Sequence, residues 1–327
     1  MKKIFIAIVA LAAATACSNS EIVSVNREAI GFDNAFVNNS TRSVVDPSYT
    51  NDNLFADFAV YGFVTGEATA PIFDGTKVSA PNWTYAGTQY WVDGAKYDFH
   101  AVAPLTSGNW TDAVATTETL SLSFTNDGET DLLYAINDYG VYNYVAGTAV
   151  GKVGFNFRHV LSKVKFSFLN NYNATNSYLR VSNIKIENAY LTATAELNKK
   201  ATVWDTHDGT LELSFGNANT TSTSTDAVKF AKDAEVESHN ELLLIPGATP
   251  EDGYMVTFTV EVLVGDTVIK TYNHVAAANF TPVAGYSYDI KATLSHTNLD
   301  PEQAQEPIEF TVTSIGGWET TDQNKTM

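Results

Sequence analysis

Apolar and polar side chains alternate one for one along most of the chain. LSLSF (120–124), KVKFSF (163–168), IKIE (184–187), LELSF (211–215), VTFTVEV (256–262), YDIKATL (288–294) and IEFTVTS (308–314) each place every second side chain on one face. A period of two is that of a half-buried strand. Turn-forming clusters punctuate these runs: FDGTK, NDGET, DTHDGT, PEDGY and VGDT. Their Gly, Asp and Asn residues supply the backbone angles and local hydrogen bonds that reverse a chain. No window long enough for a stable helix carries a 3.6-residue period. Half-buried strands at short spacing predict an all-β protein built as antiparallel β-sandwiches.

The pattern also marks boundaries. The small-residue stretch YVAGTAVGKVG (144–154) divides the strand-rich part into a first unit, 29–148, and a second, 149–327, each of ordinary sandwich size. In FNFRHVLSKVKFSF the phase slips. Phe155 and Phe157 are odd-numbered, while Val164, Phe166 and Phe168 are even. One strand cannot keep a single face buried through that change, so a bulge or tight break is predicted near 158–162. NANTTSTST (217–225) has the composition of a disordered loop.

The amino terminus is different. MKKIFIAIVALAAATAC has two lysines, an apolar run over 4–14, and small residues before Cys17. The run is too short to span a bilayer and reads as an export signal, residues 1–16. A cysteine directly after the small residues predicts a lipoprotein whose Cys17 thiol takes the lipid. Residues 17–28 are polar and suit a tether. Cys17 is the only cysteine, so no disulfide can form within the mature chain and packing alone must hold an extracytoplasmic fold.

Composition narrows the function. With 44% hydrophobic and 12% aromatic residues among 327, a sizeable core is available. The net charge is −18, and removing Lys2 and Lys3 with the signal takes it to −20. Such a chain cannot neutralise phosphates, which excludes nucleic acid as a partner. It does suit a soluble exported protein.

Candidate chemistry is sparse. Trp83, Tyr85, Tyr90, Trp91, Tyr97 and Phe99 form an aromatic-rich hairpin, either a sugar-stacking surface or sandwich core. The alternation of Tyr97 and Phe99 with Asp98 and His100 favours core. His100 and His159 lie in strand-like contexts and are expected to pack with their ring nitrogens bonded to backbone. The six histidines show no metal-ligand spacing. NDGETD (126–131) and DTHDG (205–209) could bind calcium weakly but read better as acidic turns. No nucleophile elbow, phosphate loop or dinucleotide fingerprint is found. No catalytic residue, metal or cofactor is assigned, and the chain is read as a non-enzyme.

One loop stands out. NNSTRSVVDPSYT (38–50) holds Arg42, one of only 4 arginines in the protein. Its residue type leaves open a solvated loop arginine or a cleavage point. AIGFDNAFVNNSTR (29–42), DFAVYGFV (57–64), NWTYAGTQYWVDGAKYDFHAVAP (82–104), FRHVLSKVKFSF (157–168), FTPVAGYSYDI (280–290) and Trp318 follow in order. Together they resemble the fimbrillin family, subunits of the type V pili of Bacteroidales-type bacteria. The resemblance implies two transthyretin-like antiparallel β-sandwich domains in tandem, exported as an outer-membrane lipoprotein. It implies an arginine-specific protease that cuts between Arg42 and Ser43 and releases a first strand carrying Ile30, Phe32 and Phe36. The vacated groove would take a donor strand from a neighbour, with Ile308, Phe310 and Val312 as its apolar residues. Implied partners are other pilus subunits, the protease, and the outer membrane through the lipid, with a role in adhesion. The alternative is a lipid-anchored surface binding protein or tip adhesin that recognises a glycan or host protein, does not polymerise and keeps residues 29–42.

Strand replacement has a physical basis. Ile30, Phe32 and Phe36 are expected on one face of an extended segment, with Ala35 and Val37 on the other. Burying three such side chains is worth roughly 5–9 kcal/mol, comparable with a domain's whole stability. While the bond after Arg42 is intact, the resident strand is present at an effective concentration of about millimolar or more, and a neighbour cannot compete. Cutting lets it diffuse away. Donor and acceptor are then different surfaces of one protein, and such contacts build an open-ended fibre.

Overall fold

The computed structural model describes residues 28–37, 56–65, 70–105, 107–141, 151–220, 224–300 and 306–317. Every regular element among them is a strand. The first half contributes β1 (Phe32–Val37), β2 (Asp57–Thr65), β3 (Ala70–Ser79), β4 (Lys96–Ala103), β5 (Trp110–Ala115), β6 (Thr119–Thr125), β7 (Leu133–Val141) and β8 (Val153–His159). Next come β9 (Ser162–Asn171), β10 (Ser177–Asn198), β11 (Thr202–Gly216), β12 (Ala218–Asn219), β13 (Lys229–Phe230) and β14 (Glu235–Ser238). The chain closes with β15 (Leu242–Leu244), β16 (Tyr254–Val264), β17 (Thr267–Ala278), β18 (Tyr286–Ser295) and β19 (Phe310–Gly317).

These strands make three sheets. The first has the order β1-β8-β7-β4-β2-β3, the second β17-β16-β10-β6-β5 with β11 and β13 also on β10, and the third β12-β14-β9-β18-β19 with β15 on β9. The all-β sandwich architecture is the one expected. Two of its pairs, β1 with β8 and β9 with β18, are parallel. Alternation along a strand reports which face is buried and says nothing of a neighbour's direction, so these pairs are not readable from pattern.

The first sheet is buried on both sides. In β2, Phe58 and Val60 face one core, and Ala59, Tyr61 and Phe63 face another. The outer core gathers Phe32, Phe73, Phe99 and Phe155 beneath Trp83, Tyr85 and Trp91. A middle core lies between the first and second sheets, with Leu120, Leu122 and Phe124 from β6 and Ala193, Ala195 and Leu197 from β10. The last core joins the second and third sheets through Phe166, Phe168, Val181, Phe258 and Ile290.

The phase slip marks a real break. β8 ends on the first sheet and β9 starts on the third, with fully buried Val160 and Leu161 between them. The chain changes sheets there. The division at 148/149 therefore does not coincide with a sheet boundary, because β8 still belongs to the first sheet. Nor is the second half separate from the first. β10 is 22 residues long, roughly 70 Å if fully extended. Its Ser177–Ile186 part pairs with β16, and its Thr192–Asn198 part pairs with β6. The second sheet thus runs unbroken beneath both regions. β10 manages this with two changes of buried phase, from Leu179 and Val181 to Ile184 and Ile186, then to Ala189 and Ala193. Register shifts fall at both places, between Ser182 and Lys185 and between Ile186 and Ala189. Bulges of this kind re-aim a strand from one core to the next.

Hydrogen bonds fix the far end of the β10–β11 hairpin. The Arg158 guanidinium donates to the carbonyls of Asn198 (2.6 Å) and Ala201 (3.1 Å), and the Trp204 indole N–H donates to Val160 O (2.9 Å). The polar 217–225 segment is ordered at its start. Ala218 and Asn219 are buried and pair with β14, since Asn219 donates its side-chain amide to Asp226 O (2.7 Å) and closes a local turn.

Candidate functional site

The leading segment occupies the open edge of the first sheet, where β8 is the ladder partner of β1. Upstream of β1 it is gripped from two sides. The Trp91 amide donates to Glu28 O (3.0 Å), the Ile30 amide to Gln89 O (2.8 Å), the Val153 amide to Gly31 O (2.8 Å) and the Tyr85 hydroxyl to Ile30 O (2.7 Å). Burial pushes the Tyr85 phenol above its ordinary value, against the hydrogen bond from the Gln89 amide, and it remains a neutral donor. Ile30 and Phe32 are each 1% exposed. The Phe32 ring sits among five others, with centroids at 5.3 Å (Phe73), 5.4 Å (Tyr85), 6.0 Å (Phe155), 6.2 Å (Phe58) and 6.4 Å (Phe99). Four of the contacts are edge-on, a preferred arrangement of aromatic pairs.

Further along, the pairing of β1 with β8 shifts. Phe32 is in register with Val153, a shift follows, and then Ala35, Phe36 and Val37 align with Phe155, Asn156 and Phe157. Phe155 and Phe157 are core residues and Asn156 is exposed. The pairing thus carries a bulge between Phe32 and Ala35, and the side chain of Phe36 lies outside the described residues.

The trailing strand is also at an edge. β19 pairs antiparallel with β18 from Phe310–Ala292 to Gly317–Tyr286. Ile308 is 9% exposed, and Phe310 and Val312 are half-buried. Phe310 touches two rings, Phe166 at 5.8 Å and Phe258 at 6.1 Å. All three residues of the expected donor strand pack on their own chain.

Cys17, Arg42 and Ser43 lie outside the described residues. Of the aromatic set, Trp91, Tyr97 and Phe99 are buried in the outer core, Trp83 and Tyr85 pack on it, and Tyr90 is exposed. Trp83, Tyr85, Tyr90 and Trp91 lie in an irregular roof over residues 80–95 instead of a hairpin. His100 is fully buried, with Nδ1 2.7 Å from the Tyr134 hydroxyl; burial lowers its pKa against weaker opposing backbone contributions from Thr117 and Thr116. His159 pairs through Nδ1 with the Asp131 carboxylate. Both histidines meet a side chain at this nitrogen, and His100 also has the expected backbone hydrogen bonds, with Thr117 and Thr116. Neighbouring strands bring these groups together, which no local pattern records. In the 126–131 turn, Asp127 accepts from the Glu129 and Thr130 amides (2.9 and 2.7 Å), the Thr130 hydroxyl (2.6 Å) and Asn109 (3.0 Å). Burial opposes ionisation of Asp127, and these donors outweigh it and lower its pKa. Asp205 and Asp208 accept from the Thr206 and Gly209 amides (2.7 and 2.8 Å). The 126–131 segment is thus an acidic turn as expected, whereas 205–209 is not a turn: it lies inside β11, at a register shift against β10 between Thr192 and Thr194. Two residues of the leading seat were not singled out by the sequence for this role: Tyr85, as a cap on the Ile30 carbonyl, and Lys152, whose side chain lies beside Gly31.

These features define an all-β sandwich protein with apolar strands on open sheet edges near both ends of its described chain. A family model described as fimbrillin-like matches residues 41–318, and the chain belongs to that family. The match begins after β1. Among solved structures, the chain is similar to a protein assigned to cell adhesion from Bacteroides uniformis, at 16% identity over 89% of this chain and 98% of that one, with a TM-score of 0.44. A protein with the same assignment from Parabacteroides distasonis is similar at 10% identity over 88% and 95%, with a TM-score of 0.45. The fimbrial anchor protein Mfa2 of Porphyromonas gingivalis is similar at 15% identity over 86% and 96%, with a TM-score of 0.35. No curated protein matches.

Proposed function

We propose that this chain is a structural subunit of a cell-surface pilus, not an enzyme, exported as a lipoprotein through Cys17 and polymerised by strand exchange. The protease cuts between Arg42 and Ser43, and the leading strand then leaves its seat. One observation carries this reading: the leading segment is an edge element whose Ile30 and Phe32 side chains are buried to 1% exposure. An edge strand can depart without dismantling its sheet. Its departure strips the cover from the outer core and leaves the Val153 and Trp91 amides without their acceptors. An apolar groove flanked by unpaired backbone groups is a template for an incoming strand. Membership of the fimbrillin-like family supports the same role.

The test is electron microscopy of the purified chain before and after limited arginine-specific proteolysis, with sequencing of the new amino terminus. Fibres only after a cut that exposes Ser43 are expected. Monomers in both samples, or a first cut elsewhere in the folded protein, would remove the proposal. Radiolabelled palmitate should enter the wild-type chain and not a Cys17→Ala variant.

A further inference from the structure

The leading and trailing segments share a short pattern. Glu28-Ala29-Ile30-Gly31-Phe32 and Glu306-Pro307-Ile308-Glu309-Phe310 agree at the first, third and fifth positions. We infer that residues 306–310 of a second copy of this chain enter the seat of residues 28–32 in that register. Ile308 replaces Ile30, Phe310 fills the five-ring socket of Phe32, and Glu309 lies against Lys152. This rests on the strand-exchange reading above and fixes its register.

Each position of the seat accepts its new occupant. At the first, the carbonyl of Glu28 accepts from the Trp91 amide, and the new occupant, Glu306, is the same residue type. The second would receive Pro307, which has no amide to donate. The bridge between Ala29 and Tyr90 is made by the carbonyl of residue 28 and the amide of residue 30, so Ala29's own amide takes no part in it. Proline fits where the ladder needs no donor. The third position is isoleucine in both segments, with its carbonyl offered to Tyr85.

The fourth position carries the charge complementarity. Gly31 lies outside the left-handed region, so a side chain there brings no backbone strain. A Cβ on Gly31 would point at Lys152, 3.2 Å from Cγ and 3.8 Å from Cε. The near atom belongs to a flexible side chain that can give way. A cleft of about 290 Å³ opens at this point, lined in part by Asn82, Tyr85, Thr88 and Lys152. It offers room and an opposite charge to the Glu309 carboxylate. At the fifth position, phenylalanine replaces phenylalanine. Phe310 is half-buried against two rings on its own chain, and the socket would enclose it with five. A register slid by two residues would put Val312 in the socket and Thr311 beside Lys152. That leaves a cavity where the ring was and loses the opposite charge.

Disulfide trapping reads the register directly. The Cys17→Ser chain has no other cysteine. In that background Lys152→Cys is combined with Glu309→Cys, Thr311→Cys or Thr313→Cys, and the chain is cut with the arginine-specific protease and oxidised. The inference expects association after the cut and intermolecular crosslinking chiefly through the 309 pair. Association with crosslinking mainly through 311 or 313, or through none of the pairs, overturns the register and leaves strand exchange standing. Failure to associate after the cut overturns strand exchange, and the register with it. As a second reading, Lys152→Glu should slow association after cleavage about two- to fivefold, the scale of one exposed ion pair, and adding Glu309→Lys should restore it. An unchanged rate in Lys152→Glu would remove Glu309 from that position.

Discussion

The leading and trailing strands both lie on open edges and are both tied through their backbones, yet their phenylalanines are held unequally. Phe32 contacts five rings, and the backbone beside it is tied by four hydrogen bonds from the roof and β8. Phe310 contacts two rings and stays half-exposed. The contrast separates two problems that the proposed strand exchange would have to solve. A plug that keeps its seat until cut needs deep burial of its side chains. A strand that would leave its own sheet to enter another needs shallower burial.

The contrast can be broken by experiment. Phe32→Ala should cost about 3–5 kcal/mol in urea unfolding of the uncut chain, the range for a fully buried phenylalanine. Phe310→Ala should cost less, about 1–2 kcal/mol, since part of that residue stays in water. Equal costs would show that the two edges are held alike. Trp204→Phe, which leaves the Val160 carbonyl without its donor, should cost about 1–2 kcal/mol and lower the denaturant slope if the two regions begin to unfold separately. Tyr85→Phe should cost about 1 kcal/mol, felt by the leading seat and not by β19.

A smaller effect comes from pH. Burial lowers the pKa of His100 in the first half and of His274 in the second, where the ring stacks on Phe258 at 5.1 Å. The unfolded chain takes up protons on these groups near pH 6.5 and the folded chain does not. Unfolded binding exceeds folded binding only below that pH, so stability is flat above it and falls as the solution is acidified. Each group contributes a slope of at most about 1.4 kcal/mol per pH unit. Melts of His100→Gln and His274→Gln should each show a shallower acid loss than the parent. An unaltered slope in either would assign the acid sensitivity elsewhere.

Much of the strand inventory was legible because one-sided burial writes itself as alternation. β6, β9, β16 and β19 fall where their patterns lie. A break near Val160 and Leu161 was legible too, since a strand cannot switch parity and keep its face, but that the chain changes sheets there was not. β10 obeys the same rule twice, but the phase changes of Leu179–Val181, Ile184–Ile186 and Ala189–Ala193 occur inside one strand. Only the neighbours β16 and β6 reveal that it continues through its bulges. Ile30 and Phe32 could be read as strong apolar positions from their spacing alone. The register shift between Phe32 and Ala35 could not, because it depends on pairing with β8. Tyr85 and Lys152 reach the seat from loops about 50 and 120 residues away, and no local periodicity connects them to it.

The hairpin of β10 and β11 has a mechanical consequence. Its paired register runs from Ile184–Gly216 to Leu197–Thr202, past both the last and the middle cores. Where two globules share only a tether, a sideways push swivels one against the other at little cost. Here the same push must distort a ladder of backbone bonds, and so the molecule resists bending as a girder does.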